Sequence, residues 1–348
     1  MLSFLTVLDL PQIYSKPSAD VLLDTLTLLT TAPPSWDQKN KTHKSGSDDV
    51  LVQVNPEGVT RYLTSIVSSD LRWIQDDETK EQIWDQASAR LSERSGRSAM
   101  GTMSRTFRIP TSSEPFELSI HEPAMTGDDL GLKTWAASYL LAKRLVTFDL
   151  VPADNQKRLR VLELGSGTGL VGLAMAGLGA DVVLTDLPSI CPNLAHNAKQ
   201  NREVLNHKGG TTRTAILDWM HPTSCEPLRD DNTNGDAGPI PAKFTVILAA
   251  DSLYSPDHPR MLVDTVAVWL SEDSDAKVIV EFPYRDAYLP EIKDFRRRML
   301  ELGLKIVGEG EEKGYDDWGM SGDSEDQDDA SLVTCWWSCW ARKISNAG

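Results

Sequence analysis

Three glycines at alternate positions, Gly165, Gly167 and Gly169, follow an acid at Glu163 and precede an apolar run. Such spacing marks a tight loop whose backbone approaches a nucleotide-bearing ligand. A dinucleotide fingerprint wants Gly-x-Gly-x-x-Gly, so that backbone amides and a helix N-terminus receive a pyrophosphate. Here Leu170 stands where the third glycine is required, although Gly172 follows. Glu163, just before the loop, repels phosphate and suits the cationic amino-acid head group of S-adenosylmethionine. With Ser166 inside it, the loop reads as a site for that cofactor rather than for NAD.

More carboxylates fall where strands are predicted to end. Asp186, 17 residues after Gly169, can accept both ribose hydroxyls; with Pro188 after it, it can also cap a helix. Asp218 can accept from an adenine amino group and Trp219 can cover the ring; such a pair is otherwise a loop acid and a core aromatic. Asp251-x-x-Tyr254 ends the fourth strand, where the transferred group should lie; the other reading is a helix cap and a packed aromatic. Ligands in open α/β sheets bind at the carboxyl ends of strands, which favours the functional reading at each place.

The elements that position these residues alternate. Strands are predicted at 159–164, 181–185, 213–217, 244–250 and 277–282, separated by helices near 170–178, 189–205, 257–270 and 287–301, after a helix over 131–146. Strand then helix, repeated, means a parallel sheet covered on both faces. Strands at 305–310 and 331–342 follow each other without a helix, so an antiparallel hairpin closes the sheet. Five parallel strands and a hairpin make the Rossmann-like, seven-stranded α/β arrangement of class I methyltransferases. Within residues 309–330, ten acids face one lysine; such a block repels itself and reads as a loop. It can steer a basic protein surface or merely span the gap. Upstream, helices over 21–30, 61–74 and 79–94 precede a strand pair at 107–110 and 116–123. The expected division is a mainly helical N-terminal module over 1–127 and a methyltransferase domain over 128–348.

A net charge of −16 argues against broad phosphate binding, which needs basic patches. The apolar start lacks a basic segment and meets Asp9 and Pro11 at once, unlike a signal peptide. No run of about 18 uninterrupted apolar residues is present to span a membrane. Four cysteines include no CxxC pair, six histidines show no metal-ligand spacing, and Cys335 and Cys339 read as buried thiols. The expectation is a cytoplasmic protein without metal.

GLKTW (131–135), ELGSGTG (163–169), LTD (184–186), LDW (217–219) and ADSLY (250–254) resemble the seven-strand protein-lysine methyltransferases that act on chaperones and translation factors. The likeness covers residues 131 to 342. The run IWDQASARLSERSGRSAMG (83–101), leading through HEPAMTGDDLGLKTW (121–135), resembles the fungal elongation factor methyltransferase 2 branch, which methylates lysines of elongation factors 2 and 3. The resemblance implies that Trp135 packs beside the cofactor, Gly165 and Gly167 approach its methionine moiety, and Asp186 binds ribose. It implies that Trp219 and Ala250 line the adenosine and methyl ends, with Asp251 and Tyr254 at the lysine channel. It also implies an elongation factor as protein substrate for a monomeric enzyme. A small-molecule methyltransferase has no need of the narrow polar gate of Asp-x-x-Tyr. A non-catalytic cofactor-binding protein is opposed by the intact Glu163, loop glycines and Asp186, and a nicotinamide oxidoreductase by the loop spacing.

Overall fold

The computed structural model describes residues 4–30, 53–55, 57–94, 101–124, 130–148, 150, 158–228, 240–315 and 332–343. The chain packs as two units, 1–101 with 317–331, and 102–316 with 332–348.

In the first unit β1 (Phe4–Leu5) pairs with β2 (Gln53–Val54), and three helices follow the expected periodicity: α1 (Ala19–Leu28), α2 (Val59–Val67) and α3 (Asp77–Arg94). Leu22, Leu26, Leu63, Ile66, Ile83 and Ala87 meet in one buried cluster. The helix predicted over 61–74 ends at Val67, and Leu71 has φ +46°. A right-handed helix cannot continue through that left-handed conformation.

The second unit opens with a hairpin of β3 (Met103–Ile109) and β4 (Phe116–Glu122). It continues through α4 (Ala136–Arg144), β5 (Arg160–Leu164), α5 (Leu170–Gly177), β6 (Asp181–Asp186), α6 (Cys191–Gln200), α7 (Arg202–His207), β7 (Thr211–Ile216) and β8 (Glu226–Pro227). Then come β9 (Val246–Ala250), α8 (His258–Trp269), β10 (Lys277–Pro283), α9 (Leu289–Glu301), β11 (Leu304–Tyr315) and β12 (Leu332–Arg342). The sheet order is β11-β12-β10-β9-β5-β6-β7-β8. β5, β6, β7, β9 and β10 are mutually parallel, and β12 runs antiparallel to both its neighbours. These are the seven expected strands, five parallel and a closing hairpin, plus β8, two residues paired antiparallel to β7 and too short to leave a periodic signal. β9 is buried at every residue, as a central parallel strand covered on both faces must be. Cys335 and Cys339 are buried thiols. β11 runs to Tyr315, so the acidic loop expected from 309 begins as strand; its remainder, 316–330, lies outside the described residues.

Connections from β5 lead to β6 and β7 on one side, whereas β9 leads to β10 on the other. The crevice at such a reversal, outside the carboxyl ends of the strands, is where open α/β sheets bind ligands.

The expected boundary near 127 needs correction: the hairpin belongs to the second unit. Its alternation buries Phe107, Ile109, Phe116, Leu118 and Ile120, and the edge of β4 is held by amides of α6 and the residue that ends it. Asn201 accepts from the Ser119 N–H (2.9 Å) and donates to the Ser119 carbonyl (2.7 Å). Asn197 accepts from the His121 N–H (2.8 Å) and donates to the carbonyls of His121 (3.1 Å) and Thr168 (2.9 Å). Four residues of helix rise about 6 Å and two of strand about 6.8 Å, so each asparagine meets a strand residue facing the same edge. Asn201 also ends α6, dividing the single helix predicted over 189–205. Thr168 lies in the glycine loop, so the hairpin braces that loop through Asn197. Asn197→Ala should destabilise this unit by about 2–4 kcal/mol, since buried backbone groups lose their partners. Denaturant unfolding of the full chain checks this; a loss under about 1 kcal/mol would mean water replaces the amide.

Candidate active site

The loop between β5 and α5 turns on backbone that side chains resist. Gly165 has φ +65°, and a Cβ there would lie 3.1 Å from the Trp219 ring. Loop backbone and indole are therefore in direct apposition. The loop is buttressed by the segment before α4: Thr134 and Thr168 share a hydroxyl hydrogen bond of 2.8 Å. The Thr134 N–H donates to buried Glu122 at 3.1 Å. Trp135, the residue that caps α4, donates its indole N–H to the Leu130 carbonyl at 3.1 Å. Lys133 and Arg285 lie over its ring, 4.7 and 5.3 Å from the centroid.

Glu163 faces inward, under the loop. Its Oε2 accepts from the Gly172 N–H at 3.1 Å, and the residue is 2% exposed. A Cβ at Gly172 would lie 2.2 Å from Leu184 and 2.5 Å from that oxygen, so only glycine lets helix backbone and acid meet. The carboxylate, expected from the sequence at the cofactor head group, ties down the first turn of α5. Ser166 is likewise tied to the protein. Its buried hydroxyl accepts from the Thr185 N–H at 3.0 Å and lies 3.4 Å from the Glu163 carbonyl, joining β5 to β6. Gly169 occupies the cap position of α5.

Burial first, and then the charge of Asp186, push the Glu163 acid up to about 8, against hydrogen bonds from Ser166 and Gly172 that lower it. The folded value exceeds the unfolded 4.5, so folding takes up a proton here. The contribution to stability is full below about 4.5 and lost as pH rises through about 8. Glu163→Gln keeps an acceptor for Gly172 and removes the titration. Its melting temperature should therefore fall less than that of the wild type across this window in a pH series; parallel curves would mean that Glu163 ionises without penalty.

The other predicted residues converge on the crevice. Asp186 accepts from the N–H groups of Gly167 and Leu187, both at 2.7 Å. It does not cap α6, whose cap is Ile190. Burial raises its acid to about 6, against the two backbone donors. A carboxylate offers about four lone-pair sites, so two remain for hydroxyl donors. Asp218 is half-buried and accepts from the Met220 N–H at 2.9 Å. Ala250, buried, pairs with Glu281 on β10. Asp251 turns out of β9 at φ +51°, its N–H donating to the Glu281 carbonyl at 3.0 Å. Aspartate tolerates this conformation better than most residues. The cap of α8 is Asp257, so Asp251 is no helix cap. Tyr254 is 47% exposed, hence not a core aromatic. Burial of its hydroxyl raises the phenol, and both Asp186 and Asp251 raise it further. The ends of β6 and β9 thus act on one phenol. Sequence reasoning missed His258, which touches both Trp219 and Tyr254; its place four residues after Tyr254, at the start of the next helix, was the available signal. It also missed Glu281, whose acid is raised well above the usual carboxylate range by burial and then by Glu312.

Residues 165–169 include no lysine or arginine, and the acids at 163 and 186 lie beneath them. The donor set offers carboxylate lone pairs, an indole face and backbone in close approach. It suits hydroxyls, an adenine ring and a positive sulfonium, and it disfavours phosphates. Fold and site together define a class I S-adenosylmethionine-dependent methyltransferase. The family model described as lysine methyltransferase matches residues 112–289. The chain belongs to that family, as a protein-lysine N-methyltransferase whose methyl donor is S-adenosylmethionine. Protein-lysine N-methyltransferase rrg1 of Schizosaccharomyces pombe is 31% identical over 333 residues, covering 95% of this chain and 97% of that protein. Protein-lysine N-methyltransferase EFM2 of Saccharomyces cerevisiae is 32% identical over 261 residues, 70% of this chain and 58% of that one. EEF1A lysine methyltransferase 3 of Mus musculus is 32% identical over 148 residues, 41% and 54% of the two chains.

Proposed function

We propose that the enzyme methylates a lysine of a translation elongation factor, with Asp251 and Tyr254 forming the gate through which that lysine enters. The observation that carries the gate is the left-handed turn at Asp251 in the crevice, beside a phenol that feels both Asp186 and Asp251. The substrate class is supported by the printed names of two relatives and by the net charge of −16, which favours a basic partner. The same reading places the enzyme in the cytoplasm, acting as a monomer.

The bound sulfonium supplies the electrophilic methyl group. The protein's part is alignment and exclusion of water. Asp186, Asp218, Trp219 and Trp135 hold the adenosine and methionine ends, with Gly165, Gly167 and Ala250 allowing close approach. Asp251 accepts a hydrogen bond from the lysine amine and aims its lone pair. Free lysine has a pKa of about 10.4, and desolvation between Trp219 and Tyr254 lowers it towards the neutral amine needed for attack. Tyr254 narrows the channel and so limits how many methyl groups fit.

Tritiated S-adenosylmethionine and the enzyme, added to a fungal lysate depleted of methyltransferases, test the substrate class. A labelled band of elongation-factor size, identified by mass spectrometry, is expected. Labelled protein of another kind would refute the elongation factor.

A further inference from the structure

His258 begins α8, four residues after Tyr254 across a non-helical turn, and none of the roles above uses it. Its Nδ1 lies 3.0 Å from the Ser252 carbonyl oxygen. A carbonyl only accepts, so Nδ1 carries the proton and the remaining lone pair of the neutral ring is on Nε2. The imidazole stands at 83° to the Tyr254 ring with centroids 4.3 Å apart, and at 80° to Trp219 with centroids 6.0 Å apart. Both are edge-to-face arrangements, which aromatic quadrupoles favour. Ser252 follows Asp251 directly, and its Cβ would lie 3.9 Å from a Cβ at Gly165. One ring thus connects the turn that carries Asp251 with aromatics from the ends of β7 and β9.

We propose that His258 is a positioning residue for lysine methylation: pinned on the Ser252 carbonyl, its ring sets the separation of Trp219 and Tyr254 and thereby the width of the lysine entrance. This rests on the gate assigned above to Asp251 and Tyr254. Burial holds the imidazole below its ordinary range, while Ser252 and Asp257 act the other way. A neutral ring also keeps a second cation away from the path of a cationic lysine. The charged groups that act here are Asp257, which caps α8, faces the imidazole and pairs with Arg260 at 3.8 Å, and Asp186 and Asp251, which act on Tyr254.

Two variants separate ring from hydrogen bond. His258→Asn keeps a donor near the Nδ1 position and loses the ring; His258→Phe keeps a ring and loses the donor. The probe is tritiated S-adenosylmethionine with the depleted lysate, read as initial rate into protein and, by mass spectrometry, as the ratio of mono-, di- and trimethyl-lysine. His258→Asn should slow transfer about three- to tenfold, the scale of lost aromatic pairs, and shift product towards higher methylation. His258→Phe should recover most of the rate, with cofactor affinity and melting temperature close to wild type in both. If His258→Asn matches the wild type in rate and product ratio, or loses rate only in proportion to its folded fraction, the residue is structural and the proposal fails. If the wild type itself labels no protein, the reading of the gate has failed on its own. Imidazole 15N spectra near neutral pH then decide the contact: a proton on Nδ1 upholds it, and a proton on Nε2 overturns it.

Discussion

Asp251→Asn should cut methyl transfer to protein by about 10²-fold, the scale for a misplaced reacting group, while cofactor affinity stays within about threefold. Asparagine is the informative substitution because residue 251 has φ +51°. Asp and Asn both accept left-handed backbone, whereas most side chains there cost about 1–2 kcal/mol. Asp251→Ala would therefore mix strain with lost charge. The Asp251 N–H to Glu281 carbonyl bond is backbone only, so the turn should survive in the Asn variant. What disappears is the negative charge of the group that receives the amine, and one of its two accepting oxygens. Single-turnover rates beside calorimetric binding of S-adenosylmethionine separate the effects. If both fall together, Asp251 holds the cofactor or the turn, and the gate must be assigned elsewhere.

Asp186→Ala should weaken S-adenosylmethionine binding by about 1.5–3 kcal/mol, roughly 10- to 150-fold, as charge-assisted hydrogen bonds are lost. The loss has two sources. Ribose hydroxyls lose their acceptor, and the N–H groups of Gly167 and Leu187 lose theirs, which loosens the loop itself. Asp186→Asn retains one acceptor oxygen and should fall between the two. The acid is raised to about 6 by burial, and the ionised form accepts from hydroxyls more strongly and with more lone pairs than the protonated one. Wild-type affinity should therefore decline as pH falls through about 6, and this decline should be absent in Asp186→Ala. Calorimetry showing unchanged affinity in a folded Asp186→Ala protein would contradict the ribose assignment.

Much of this site was legible because backbone demands leave marks in sequence. Gly165 and Gly167 announce backbone that must turn where a side chain would collide, and the acids at 186 and 251 fall where strand periodicity stops. Side-chain direction was less legible. Glu163 sits on a strand, and alternation sends it to one face without saying which neighbour it meets; Gly172, the small residue that makes room for it, was the overlooked mark. Ser166 reads as an open loop residue, yet its hydroxyl bridges β5 and β6. The hairpin showed one apolar face through Phe116, Leu118 and Ile120, but not what covers it. The asparagines at 197 and 201 that hold its edge carry a signal only once helix and strand repeats are laid side by side. His258 resembles any histidine at a helix start until Trp219 and Tyr254 are seen against it.

This crevice transfers methyl groups to the side-chain nitrogen of lysine within proteins. Protein labelled with tritiated S-adenosylmethionine, precipitated, hydrolysed to amino acids and separated beside methylated standards tests it most directly. Radioactivity should elute with Nε-methylated lysines and nearly disappear when Asp251→Asn replaces the wild type. Radioactivity in methyl-arginine, methyl-histidine or base-labile esters, or only in small molecules left in the supernatant, would contradict it.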